Sequence, residues 1–69
     1  MSYLFGGNMS YFKEVLKHVR MTKEEFFKIY NLPKGERAEE EKRLYEYEPT
    51  KYGDYMHLVI AYNQSLKEQ

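Results

Sequence analysis

The chain has 69 residues, eleven basic and eleven acidic side chains, and no cysteine. One domain at most fits this length, and such a chain buries only about 60% of its unfolded surface. Zero net charge argues against a strong general attraction to nucleic acid, and the absence of cysteine excludes disulfides, thiolate nucleophiles and thiolate metal sites.

Small secreted domains lean on disulfides, so a cytoplasmic setting is expected. No apolar run approaches the ~20 residues that cross a bilayer, so no membrane partner is expected. The opening MSYLFGG lacks the basic region and apolar core of a secretory signal. The charge is unevenly spread. Residues 1–37 carry seven basic and four acidic side chains, and residues 38–69 carry four and seven. Eight tyrosines and no tryptophan complete the composition.

Residues 1–9 hold a Gly6-Gly7-Asn8 turn signal and read as a flexible arm anchored by Tyr3, Leu4 and Phe5. Residues 10–69 read as a single small helical domain. Ser10 is placed to cap a helix running to about Val19, with Phe12, Val15, Leu16 and Val19 as a narrow apolar stripe. Lys13, Glu14, Lys17 and His18 face water. Arg20 and Met21 leave little chain before the next start, which predicts a tight corner between two helices.

Met21–Pro33 is the most defined stretch. Thr22 and Glu25 have the spacing of a capping box, and Met21 and Phe26 that of a hydrophobic staple. Pro33 stops the helix near Asn31. Phe26, Ile29 and Tyr30 share one face, with Phe27 at its edge.

Pro33 and Gly35 then predict a turn, followed by a third helix from near Glu36 to about Tyr47, stopped by Pro49. Its apolar positions are Ala38, Leu44 and Tyr45. Arg37–Glu41 and Glu39–Arg43 are spaced to pair. Thr50–Asp54, with Gly53, reads as a connector, and Asp54 as the cap of a fourth helix. Tyr55, Met56, Val59, Ile60, Asn63 and Leu66 are placed along its inner side. The expected fold is thus all-α, a compact bundle of about four short helices. The alternative is α+β, with a C-terminal β-hairpin at about 44–62, because Leu44–Glu48 alternates and Tyr55–Tyr62 is rich in β-branched and aromatic residues.

No nucleophile–base pair, phosphate loop or metal motif occurs, so neither enzymatic activity nor a cofactor is expected. His18 reads as solvent-facing and His57 as half-buried and hydrogen-bonded. Glu39, Glu40 and Glu41 point three ways on a helix and read as a solvated face. Tyr11, Tyr30, Tyr55 and Tyr62 read as packing residues. Tyr45, Tyr47 and Tyr52, among charges around Pro49, form a candidate recognition patch.

Residues 12–32, FKEVLKHVR and MTKEEFFKIYNL, resemble the opening of phage-repressor (Cro-like) helix-turn-helix domains. Thr22, Lys23, Glu24, Glu25 and Phe26 match that family's start of the second helix. RLYEYEP and DYMHLVIAYNQSL look like its third-helix end and closing helix. The family sets its recognition helix two or three residues after the position of Leu32, where this chain reads KGERAEEEKR, a longer and acidic segment. The resemblance implies a DNA-binding transcriptional regulator of phage or mobile-element type, acting as a homodimer. Thr22 and Lys23 would then meet the DNA backbone, with Lys34, Arg37, Lys42 and Arg43 as the nearby contacts.

A second reading follows from the acidic segment and its tyrosines: a small phage-type inhibitor or adaptor that binds a host protein through Glu39, Glu40, Glu41, Tyr45, Tyr47 and Tyr52. A third is a passive structural subunit of a larger assembly.

Overall fold

The computed structural model describes residues 10–67; the expected arm at 1–9 lies outside them. Four helices follow in order: α1, Ser10–Leu16; α2, Lys23–Tyr30; α3, Lys34–Tyr47; and α4, Pro49–Lys67. There is no strand among the described residues, so the chain is an all-α bundle and the hairpin alternative at 44–62 is overturned.

The start of α2 is built as its sequence spacing requires. Thr22 is extended, its hydroxyl accepts from the Glu25 amide at 3.1 Å, and the Glu25 carboxylate accepts from the Thr22 amide at 3.0 Å. Two of the four amides that a helix start leaves unpaired are thereby satisfied. Met21 and Phe26 are both buried in the same core cluster, as a staple demands. At the other end Asn31 caps the helix and donates to the Phe27 carbonyl at 3.0 Å, before Pro33 ends the run.

Eight residues are too few to be a stable helix in water, so α2 depends on what its face meets. Phe26 is fully buried, and five aromatic rings surround it: Phe12 of α1, Phe27 and Tyr30 of α2, and Tyr55 and Tyr62 of α4, with centroids 4.9–5.9 Å away. Most of these pairs are tilted or edge-on, the geometry that ring quadrupoles favour.

The first helix is shorter than its periodicity suggests. It ends at Leu16, and Lys17 and His18 make tighter bonds to the Glu14 and Val15 carbonyls. The corner to α2 therefore spans residues 17–22. Phe12 and Val15 are buried, and Leu16 and Val19 pack against the core. Tyr11, read as a packing residue, is 42% exposed.

Pro33 precedes α3 directly. Lys34 is its first residue, and Gly35 lies within its first turn, not in a separate turn. Lys34-to-Arg43 is thus the third helix itself, not a segment inserted before it. Leu44 is its only buried residue; Ala38 and Tyr45 are exposed.

The largest correction concerns Pro49. It does stop α3, but it also starts α4: only Glu48 separates the two helices. Proline's fixed φ suits the first helical position, where its missing N–H is no loss, and it holds Glu48 out of α geometry. The expected connector Thr50–Asp54 is helical throughout, including Gly53, because one glycine costs a helix only about 1 kcal/mol. Asp54 is consequently no cap. Its carboxylate accepts from the Arg20 amide at 3.2 Å and ties the α1–α2 corner to α4.

The buried face of α4 is rotated from the expected one. Tyr55, Leu58, Val59, Ala61 and Ser65 are buried, whereas Ile60 and Leu66, expected inside, are 60% and 43% exposed. Ser65 is fully buried, and its hydroxyl oxygen accepts from the Phe12 amide at 3.2 Å, across 53 residues of chain. That amide belongs to the first turn of α1 and has no partner within its own helix. Ser65→Ala removes the acceptor and strands a buried N–H; a loss of about 1–3 kcal/mol is expected in urea unfolding followed by circular dichroism.

Candidate binding surface

The third helix carries almost no apolar surface, so polar contacts hold it to the bundle. Glu41 points inward. Its Oε2 accepts from the Tyr55 hydroxyl at 2.7 Å and from Arg37 Nε at 3.0 Å. The Arg37 guanidinium lies over the Tyr30 ring, 4.2 Å from its centroid. Tyr30 in turn donates its hydroxyl to Asn63 Oδ1 at 3.0 Å. These contacts bind α3 to α2 and α4 without a greasy stripe. Burial, then the bond to Glu41, pushes the Tyr55 phenol well above the ordinary tyrosine range.

A second network closes the joint between α3 and α4. Arg43 bonds Glu40 at 2.6 Å and Glu48 at 2.7 Å. Lys51 lies 3.6 Å from Glu48 and 3.8 Å from Glu25, so the cap of α2 is linked to the first turn of α4. The Arg43 hydrogen bonds hold the Glu40 and Glu48 carboxyls below the usual carboxylate range, and the Thr22 amide does the same for Glu25. Arg37–Glu41 pairs as its spacing predicts, but Arg43 selects Glu40 and Glu48 in place of Glu39. No helical spacing rule points to the Glu48 partner, because the chain leaves the helix there.

Half of the side chains that a helix-turn-helix would offer DNA are therefore engaged. Thr22 is used in the cap, Arg37 by Glu41 and Tyr30, and Arg43 by two carboxylates. Lys23, Lys34 and Lys42 are exposed and form no ion pair among the described residues. Lys23 begins α2, whereas Lys34 and Lys42 belong to α3 and line two different grooves.

The protein-binding set divides as well. Glu41 is committed inward and Glu40 to Arg43, which leaves Glu39 without an ion pair among the described residues. Tyr45 packs edge-on against Tyr52 with centroids 5.2 Å apart, and Tyr47 stands apart and is 75% exposed. A shallow groove of about 520 Å³ runs along the outer side of α3. Glu36, Glu39 and Glu46 line it with Lys42, Leu32 and Tyr47, and the Arg43 and Glu40 that also line it neutralise each other. The contiguous run Glu39–Glu41 stands out in the sequence, whereas Glu36 and Glu46 come beside Glu39 only through the helical turn.

Neither histidine joins a site. His18 is exposed, 3.8 Å from Glu14, and His57 is exposed too, not half-buried as its sequence position suggested. No cluster of three metal-ligating side chains occurs among the described residues, nor any helix long and apolar enough to cross a membrane. The chain matches no family model, no curated protein and no solved structure.

The buried phenol predicts an alkaline limit. The folded state keeps Tyr55 protonated to higher pH than the unfolded chain does. Its contribution is therefore complete below the ordinary phenol range and is lost as pH climbs beyond it. Thermal melts between about pH 8 and 11 should show stability falling above about pH 10, and falling less steeply in Tyr55→Phe. At neutral pH that variant should lose about 1.5–3 kcal/mol, the net worth of a hydrogen bond to a charged group.

Proposed function

We propose that this is a small non-enzymatic adaptor or inhibitor, cytoplasmic in setting, that binds a basic surface of another protein through the outer side of α3. The observation that carries this reading is the charge left over on α3 once its internal pairs are formed. Arg37 and Arg43 are both tied to carboxylates, and Glu36, Glu39 and Glu46 remain against Lys34 and Lys42. The outer face is thus net acidic, with the exposed ring of Tyr47 beside it. Tyrosine next to charge supplies apolar contact area at low entropic cost, and the carboxylates steer a basic partner into register.

The joint between α2 and α3, residues 31–33, has the length that a helix-turn-helix uses. A DNA-binding reading would lay α3 in the major groove, against phosphates that repel the same three glutamates. The acidic face therefore favours a protein partner over DNA.

Two probes separate these readings: a synthetic peptide rich in lysine and arginine, and a random-sequence DNA duplex. Each is titrated at low salt into isotope-labelled protein while backbone amide shifts are followed. The peptide should move Glu36, Glu39, Glu46 and Tyr47, and Glu39→Lys with Glu46→Lys should weaken it by about tenfold or more without changing the melt. Shifts with DNA alone, centred on Lys23, Lys34 and Lys42, would replace this reading with the helix-turn-helix one.

A further inference from the structure

The third helix differs from the other three in what holds it. Rings from α1, α2 and α4 meet in the Phe26 cluster, and those helices are also bonded directly to one another. The Phe12 amide bonds Ser65, the Arg20 amide bonds Asp54, and the Tyr30 hydroxyl bonds Asn63. None of these contacts passes through α3. What ties α3 to the rest is Leu44, its one buried residue, with the Tyr55–Glu41 bond, Arg37 over the Tyr30 ring, and the Tyr45–Tyr52 ring pair. Arg43 adds little to that attachment, because Glu40 lies on α3 itself and Glu48 at its end.

Nor are the ends of α3 those of a strong helix. Pro33 precedes it and offers no side-chain hydrogen bond to its first amides, and Gly35 lies in its first turn. Lys34 at its start and Glu46 in its last turn, which has no basic residue, stand against the helix dipole; Glu36 alone favours it. At the far end Glu48, with φ −139° and ψ 63°, lies outside helical geometry, and Pro49 has no amide proton. A helix of 14 residues is marginal in water even with good ends.

We infer that α3 is a hinged strap: it opens as one unit about residues 31–33 and Glu48, while α1, α2 and α4 stay packed on Phe26. The chain length permits this. The 14 helical residues span about 21 Å, and the same residues uncoiled reach about twice as far, so an opened strap leaves α2 and α4 in place. Opening gives up the burial of Leu44 and the bonds of Glu41, and the freed segment regains its conformational entropy. It bares the seat of Leu44 and the Tyr55 hydroxyl. It also scatters Glu36, Glu39 and Glu46, which line one groove only while the helix holds. A basic partner on that side, as proposed above, would select the closed strap; the opening itself does not rest on that reading.

Amide hydrogen exchange of the full chain at neutral pH, without any partner, provides the test. The amides of Glu41 to Leu44 should show protection at least about tenfold below that of Val59 in α4. Ser65→Ala weakens the contact between α1 and α4, which survives the opening. It should lower the protection of Val59 by about fivefold or more and leave residues 41–44 unchanged. Gly35→Ala adds a β-carbon that meets nothing within 4 Å. It should raise protection at residues 41–44 and at Val59 alike, by about two- to fivefold, since the closed strap gains against every opened state. Equal protection of residues 41–44 and Val59 in the wild type overturns the inference. So does a Ser65→Ala chain in which both fall together, or a Gly35→Ala chain in which residues 41–44 gain nothing.

Discussion

Everything in this bundle is referred to one side chain, Phe26. Its ring is fully buried and touches rings from three helices. Burying such a side chain contributes about 2–3 kcal/mol, and each well-set ring pair about 0.5–1.5 kcal/mol more. Those magnitudes are large for a chain this short, whose whole stability lies within a few kcal/mol of zero. The capping box fixes where α2 begins, and that fixes the face Phe26 occupies. The tyrosines add what phenylalanine cannot, since Tyr30 and Tyr55 bury a ring while each hydroxyl finds a carbonyl or carboxylate oxygen at the rim.

With the apolar contacts concentrated on α1, α2 and α4, the third helix is free to be polar on nearly all sides. Leu44 alone anchors it by burial, and Glu41, Arg37 and the Arg43 network do the rest. This economy has a functional consequence. Both arginines of α3 are consumed, Arg37 by the inward-facing Glu41 and Arg43 by Glu40 and Glu48 at the surface, so the helix shows the outside world a surplus of carboxylate. The same pairings that hold the helix in place set the sign of its exposed face.

Much of this was legible in the sequence where local rules are short-ranged. Thr22 with Glu25, Met21 with Phe26, and the stop at Pro33 involve residues within a few positions, and the backbone geometry of one helix turn decides them. Arg37–Glu41 belongs to the same class. Pro49 was half legible: proline ends one helix and begins another by the same fixed φ, and the sequence does not say how soon the second begins. A connector there puts the start of α4 at Asp54, and the continuous apolar run Leu58–Ala61 leaves open which side of the helix faces the core, so Ile60 is placed inside. The remaining contacts were not legible, because they depend on which segments meet. Ser65 meeting Phe12, Asp54 meeting Arg20, and Glu41 turning toward Tyr55 are long-range pairings with no local signature. The tyrosine patch around Pro49 divided for a related reason: Tyr45 and Tyr47 are two residues apart, so a helix turns them to different sides.

Amide hydrogen exchange measured residue by residue tests most directly whether α2 is locked by its aromatic contacts or merely capped. If Phe26 holds the bundle together, the amide of Tyr30, bonded within α2, exchanges only by global unfolding, with the same free energy as Val59 in α4. Exchange of Tyr30 at a markedly lower free energy than Val59 would mean that α2 opens by itself, and would contradict the account.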